Sequence, residues 1–299
     1  MTKIKQAKIS PLMRDDKWAW LMLLPNIIGF LMFMLVPMIA TFVLSFMDYD
    51  MLTPPKFVGL KNYITMIHDP IAWEVTKNTV LYTLFTVPVQ MVLALFLAVA
   101  LDQKIALKRF YRAAFFLPSI TSMVVVSIVW QWIYNPEFGL LNYFLSLFGI
   151  APKKWLIDSS TSLISLAIVG IWKRVGYDMI IFLSGLQGIS NSYYEASMLD
   201  GASKWQQFRY ITVPLLTPTT FFIFIMDIIS SFQVFDQVML MTGGGPGRSS
   251  SVLVHYLYQN AFQYFKMGYA CALAYLLFAI VLIITLFNTR MEKKIREVY

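Results

Sequence analysis

Ser192-Tyr193-Tyr194-Glu195-Ala196-Ser197-Met198-Leu199-Asp200-Gly201-Ala202-Ser203-Lys204-Trp205-Gln206 is a polar interruption in a chain that is apolar over most of its length. Ser192 with Glu195 three residues on has the form of a capping box, in which the serine side chain accepts from an orphaned amide and the glutamate reaches back. A short helix is expected from there to Gly201, the residue best able to take the left-handed conformation that ends a helix. Ser203 with Gln206 repeats the box and opens a second helix, through Phe208 and Ile211, that stops at Pro214. Helices of about eight residues are marginal alone in water, and Leu199, Trp205, Phe208 and Ile211 give this pair more apolar surface than a connector needs. Two covers fit: the chain's own membrane ends, or a partner subunit that pushes on them.

On either side the chain reads as membrane-spanning. Of its 299 residues 58% are apolar and 13% charged, against about 25% charged in a soluble domain. Residues 18–47, 78–101, 113–136 and 267–289 contain no Asp, Glu, Lys or Arg, and each exceeds the ~20 residues that cross a hydrocarbon core. Residues 160–186 and 213–239 are as long but carry Lys173, Arg174 and Asp178, and Asp227 and Asp236. Six spans are expected. The first stays a span and not a signal peptide, because its apolar run is about twice an h-region and lacks an A-x-A site.

Alternation of the spans places Lys3, Lys5, Lys8, Arg14, Lys17, Lys104, Lys108, Arg109, Arg112, Lys204, Arg209, Arg290, Lys293, Lys294 and Arg296 on one side of the membrane. Lys56, Lys61, Lys77, Lys153, Lys154, Arg248 and Lys266 fall on the other, so fifteen cations face seven and both termini are expected in the cytoplasm. The net charge of +8 is thereby a matter of topology, and a nucleic-acid partner is not expected. Cys271 has no second cysteine to pair with, and His68 and His255 are too few for a metal cluster. Thr242-Gly243-Gly244-Gly245-Pro246-Gly247-Arg248 lacks the P-loop pattern and reads as a turn. With no hydrolase triad in view, the chain is expected to carry no catalytic residue and no cofactor.

The segment Glu195-Ala196-Ser197-Met198-Leu199-Asp200-Gly201-Ala202, followed by Ile211-Thr212-Val213-Pro214, resembles the EAA loop of binding-protein-dependent ABC importer permeases: E-A-A, a Gly four residues after the triplet, and a distal I-x-x-P. Ser197 is a mild departure at the third place. Asn135-Pro136-Glu137-Phe138-Gly139-Leu140-Leu141-Asn142, Ile171-Trp172-Lys173 and Gly244-Gly245-Pro246 are similar to blocks of the maltose and glycerol-3-phosphate type of carbohydrate permease, and the likeness extends over roughly residues 18–290. It implies an all-α MetI-like membrane fold in the bacterial cytoplasmic (inner) membrane. It further implies two cytoplasmic ATPases that hold the ATP and Mg, a second homologous permease, and an external substrate-binding protein. Coupling to the ATPase would fall to Glu195, Ala196, Ser197, Asp200, Gly201, Ile211 and Pro214.

Charges at mid-bilayer are costly and usually face a cavity or a partner. Asp227, Ser230, Ser231 and Val234 recur at i, i+3, i+4 and i+7, a mostly polar stripe. Lys173, Arg174 and Tyr177 make a comparable one, although Gly176 is expected to loosen the helix there. One reading is an internal ion pair, Lys173 or Arg174 with Asp227 or Asp178. The other is a water-filled sugar pathway. The resemblance favours the second, because alignment without gaps from Glu195 and from Gly244-Gly245-Pro246 places Gly170, Lys173, Arg174 and Tyr177, with Asp227, Ser230, Ser231 and Val234, at the family's sugar site. Its neutral side chains there are charged ones here, which admits an anionic substrate such as a uronate oligosaccharide. Trp18, Trp20, Trp130 and Trp132 are expected in the lipid-facing belt.

Residues 135–159 are long for a structureless loop, and Leu140, Leu141, Phe144, Leu145 and Phe148 have helical spacing. The expected organisation is a tail, first span and outer loop (1–75), a permease domain (76–290) containing the coupling loop 190–214, and a cytoplasmic tail (291–299). The function expected is ATP-driven sugar import as half of the pathway. A gradient-driven secondary transporter is the alternative. An enzyme built on Asp227 and Asp236 is disfavoured, since nine residues on one helix put them on opposite faces.

Overall fold

The computed structural model describes residues 16–103 and 105–296, most of them helical. Lys3, Lys5, Lys8, Arg14, Lys104 and residues 297–299 lie outside the described residues, as do the side chains of Lys17, Trp18, Lys293, Lys294 and Arg296.

The first apolar run forms α1 (Asp16–Phe30) and α2 (Val36–Leu44), joined through a π-turn at Leu31–Leu35. It meets the rest of the chain late, where the Tyr275 hydroxyl donates to the Met38 carbonyl at 2.8 Å and Phe42 packs edge-on against Tyr275. Two short antiparallel strands, β1 (Met47–Asp48) and β2 (Lys56–Phe57), and α3 (Lys61–His68) lead to α4 (Pro70–Asp102). That helix starts as physics prefers: Asp69 accepts from the Ile71 amide at 2.9 Å and Pro70 occupies the first turn, where its missing N–H costs nothing.

The third expected span is not one rod. α5 (Lys108–Ile120) and α6 (Met123–Ile133) meet at 99°. Pro118 gives no N–H to the carbonyl of Ala114, and Thr121 then leaves the helix in an extended conformation. α7 (Leu140–Leu147) is the short helix expected in the following loop. It is fastened by Asn142, whose amide donates to the Lys153 carbonyl at 3.0 Å while its oxygen accepts from the Lys153 N–H at 3.1 Å.

α8 (Ser162–Gln187) is continuous, so Gly176 does not loosen it. The missing side chain serves close approach instead: a Cβ on Gly176 would collide with the Phe115 carbonyl of α5. α4 and α8 lie side by side and parallel. Tyr82 packs with Leu163, Leu166 and Val169 toward their beginnings, and Ala94, Ala98 and Leu101 pack with Phe182, Leu183 and Leu186 toward their ends.

The polar segment forms α9 (Asn191–Leu199) and α10 (Lys204–Gln207), followed by a π-turn at Phe208–Thr212 and α11 (Val213–Leu215). After a 62° bend comes α12 (Thr217–Phe232), then α13 (Asp236–Met241). Two expectations are corrected here. α9 is capped by Ser190, whose hydroxyl accepts from the Ser192 amide, so Ser192 with Glu195 forms no capping box. Pro214 does not stop the second helix: the π-turn before it bonds Val213 N–H to the Phe208 carbonyl, five residues back, and the helix continues to Leu215. The box at Ser203 and Gln206 forms in both directions.

α14 (Leu253–Tyr258), a π-turn at Gln259–Gln263 and α15 (Met267–Arg296) complete the chain. The Gly-rich run before them is a turn, as expected, with left-handed backbone at Gly243, Gly244, Gly247 and Arg248. Among the described residues, Ala19–Leu44, Pro70–Asp102 and Met267–Glu292 are long and apolar enough to cross a membrane, and the two bent pairs bring the number to five. α8, with 26 residues, reaches ~39 Å at 1.5 Å per residue but carries three charges within it.

Candidate substrate cavity and helical loop

α4, α5, α8, α12, the turn after α12 and the first residues of α6 and α13 line an open cavity of about 530 Å³. All eight residues of the expected pathway line it: Gly170, Lys173, Arg174 and Tyr177 from one face of α8, and Asp227, Ser230, Ser231 and Val234 from α12 and the turn after it. The structure adds Tyr82 and Gln90 of α4, Ser119 of α5 and Gln233, Asp236 and Gln237. α12 ends at Phe232 and α13 begins at Asp236, so Asp227 and Asp236 do not sit on opposite faces of one rod; the break turns both toward the cavity.

The ion pair considered for these spans exists: Arg174 Nε donates to Asp227 Oδ1 at 2.8 Å. Asp227 is buried and its second oxygen has no partner, while Arg174 is partly exposed with its guanidinium 5.4 Å above the Tyr177 ring. Asp178 is buried and accepts from Gln90 of α4. Lys173 bonds to no carboxylate among the described residues; its ammonium donates to the carbonyls of Pro118, at 3.3 Å, and Thr121. Gly170 is where the Tyr82 hydroxyl passes, on its way to accept from Gln237 Nε2. The cavity wall thus holds two cations, Lys173 and Arg174, and two carboxylates, Asp227 and Asp236, alongside hydroxyls and amides.

Tyr82 and Gln90 carry no charge and stand in an apolar run, which hid them in the sequence. A signal was available: Thr76, Thr79, Thr83, Thr86 and Gln90 repeat at three and four residues, a polar stripe on α4. Each threonine hydroxyl folds back on the carbonyl four residues earlier, at 2.6 to 2.9 Å, which leaves Tyr82 and Gln90 to reach across. Trp130 is half-buried. Its ring packs on Tyr134 and Trp172 at 5.2 and 5.6 Å, whereas Trp20 and Trp132 are exposed.

At one end of the bundle α9 and α10 fold on each other about Gly201, whose φ is +79°. Tyr194 and Thr212 share a hydroxyl bond of 2.9 Å, and Gln207 donates to the Ser197 hydroxyl at 2.9 Å. Ser197 therefore ties the two helices together, a role its size alone did not reveal. Glu195, Ala196 and Asp200 are exposed, and Ile211 and Pro214 half-buried. Phe208 is also half-buried, while Leu199, Trp205 and Tyr210 project outward at 91%, 70% and 73% exposure.

Long apolar helices around a polar cavity, with a capped helical loop at one end, define a helical membrane permease. The chain belongs to the family described as binding-protein-dependent transport system inner membrane component, whose profile matches residues 78–297. It is 39% identical over 296 residues to the probable ABC transporter permease YurN of Bacillus subtilis, covering 97% of each chain. It is 32% identical to the arabinooligosaccharide transport permease AraP of Bacillus subtilis, over 90% of this chain and 86% of that one. Its fold superposes with a TM-score of 0.83 and 25% identity on a chain of a bacterial ABC transporter that imports the acidic polysaccharide alginate, covering 95% and 98% of the two chains. The fold is MetI-like, and permease subunits of this family are non-catalytic membrane components.

Proposed function

We propose that this chain is one of two permease subunits of an ATP-driven sugar or oligosaccharide importer, with α9 and α10 docked on a cytoplasmic ATPase. The relatives' oligosaccharide and polysaccharide cargo supports the substrate class. The division into an appended region (1–75), a transport core (76–290) and a tail (291–299) belongs to the same reading. So do six spans in the bacterial cytoplasmic membrane with both termini cytoplasmic, the sixth being α8, whose Lys173 and Arg174 line the cavity and whose Asp178 is buried on Gln90.

One observation carries the proposal: the helical loop with exposed Leu199, Trp205 and Tyr210 runs through Pro214 and the 62° bend directly into α12, which bears Asp227, Ser230 and Ser231. A push on the loop moves the cavity wall. ATPase closure on ATP and Mg would turn the pathway outward to an external binding protein, and hydrolysis would return it. Arg174, Tyr177, Asp227, Ser230 and Ser231 would supply the hydrogen bonds a sugar needs. With two cations offset by two carboxylates, the cavity supports a neutral oligosaccharide over a uronate. Mild detergent extraction tests the assembly. Co-purification of a soluble ATPase and a second permease is expected; a chain that purifies alone and carries sugar in a proton gradient would overturn it.

A further inference from the structure

The break between α5 and α6 sits against the cavity and leaves backbone carbonyls without helical partners. Pro118 breaks the bonding upstream, Thr121 is extended, and the Thr121 amide reaches only as far as the Pro118 carbonyl, at 3.2 Å. In a membrane interior, freed carbonyls are satisfied by protein groups or by water in a cavity, never by lipid. The Ser119 and Thr121 hydroxyls take the carbonyls of Phe116 and Leu117 within α5, and Lys173 reaches in from α8 to those of Pro118 and Thr121, across 52 to 55 residues of sequence. Its charge stands at the C-terminal end of α5, where aligned peptide dipoles favour a cation. The neighbouring Arg174 spends its Nε on Asp227 instead. Two adjacent cations on α8 therefore have different tasks.

The geometry points to Lys173 as a positioning residue: it pins the bent third span to α8 and so sets the width of the cavity, without itself being the sugar contact that the resemblance implied. Gly176 supports the same junction one turn on, where the Phe115 carbonyl of α5 occupies the space of a Cβ. The inference deepens the transport reading and rests on it for the sugar, but the junction itself is a property of this chain.

The test uses Lys173→Met and Lys173→Arg in a chain with Cys271→Ser and nitroxide labels at Ile128 on α6 and Ile168 on α8, both exposed. The distance between labels is read in lipid bilayers without sugar, and uptake of a neutral and a uronate oligosaccharide of equal length is read in the assembled transporter. Lys173→Met is expected to shift or broaden the distance distribution, and to lower by a similar factor the uptake of whichever oligosaccharides the parent carries. Lys173→Arg, which keeps the charge and the reach, is expected to restore much of both. An unchanged distance in Lys173→Met, or loss of uronate uptake alone, overturns the assignment. The distance stands even if the chain proves not to be an importer.

Discussion

Arg174 and Asp227 join α8 to α12 through one bond of 2.8 Å, Nε to Oδ1, and leave the other carboxylate oxygen buried and unpartnered at the cavity. Asp227 is buried but Arg174 is 29% exposed, so removing Arg174 strands the carboxylate at a cost of about 1–3 kcal/mol, below that of a fully buried pair, whereas replacing both with apolar groups is often nearly neutral. Arg174→Met is therefore expected to destabilise the detergent-solubilised chain by about that amount, and Arg174→Met with Asp227→Leu to recover most of it. Denaturant titration of the single and double variants checks the difference. Sugar transport is expected to stay impaired in both.

Gly201 is surrounded by open space, with nothing within 4 Å of where a Cβ would stand. Its requirement is one of backbone, since φ is +79°. Left-handed backbone costs other residues about 1–2 kcal/mol, with Asn the least affected. Gly201→Val is expected to abolish ATP-driven uptake while the external protein still binds sugar, and Gly201→Asn to retain most uptake. Equal loss in both variants would show that bulk, not backbone, matters there.

Gly176 is the opposite case, tight and ordinary in backbone. Gly176→Ala drives a methyl into the Phe115 carbonyl, and overpacking of this kind costs about 1–3 kcal/mol. Gly29→Ala, with nothing within 4 Å, is the control and is expected to leave stability unchanged or slightly raised. Melting temperatures of the two variants in the same detergent decide it.

The contrast between those glycines shows what the sequence could reveal. Apolar runs report the rough place of long helices, because hydrocarbon sets their length. They average over Thr121 and Ser122, where a 99° turn hides inside an unbroken apolar stretch. Caps are legible when two groups answer each other, as at Ser203 and Gln206, and ambiguous when serines stand two apart, as at Ser190 and Ser192. Charged cavity residues announce themselves by their cost in lipid. Tyr82 and Gln90 do not, and which of two adjacent cations meets a carboxylate depends on a bend that hydropathy does not record.

Asp69 offers a pH test on the loop side of α4. Partial burial works against its ionised form, but hydrogen bonds from Tyr269 and Tyr256, at 2.6 and 2.7 Å, and from the Ile71 amide more than offset that and hold its carboxyl below the usual range. A depressed folded pKa means the contribution is present above the ordinary value of ~3.9 and is lost as pH falls through the folded value. Because the group is only partly buried, solvent screens it and about 1 kcal/mol is expected, in line with a helix cap. Asp69→Asn is expected to lower stability at pH 7 by that amount and to flatten the loss seen below about pH 4. Unfolding followed from pH 3 to 7 in both proteins reads this directly.

The measurement that bears most directly on the whole account is sugar uptake into proteoliposomes holding this chain with its partner permease, the ATPase and the external binding protein. Uptake of a labelled oligosaccharide is expected only with ATP, Mg and the binding protein all present, and not in a pH gradient alone. Uptake by this chain without the ATPase, driven by a proton gradient, would contradict it.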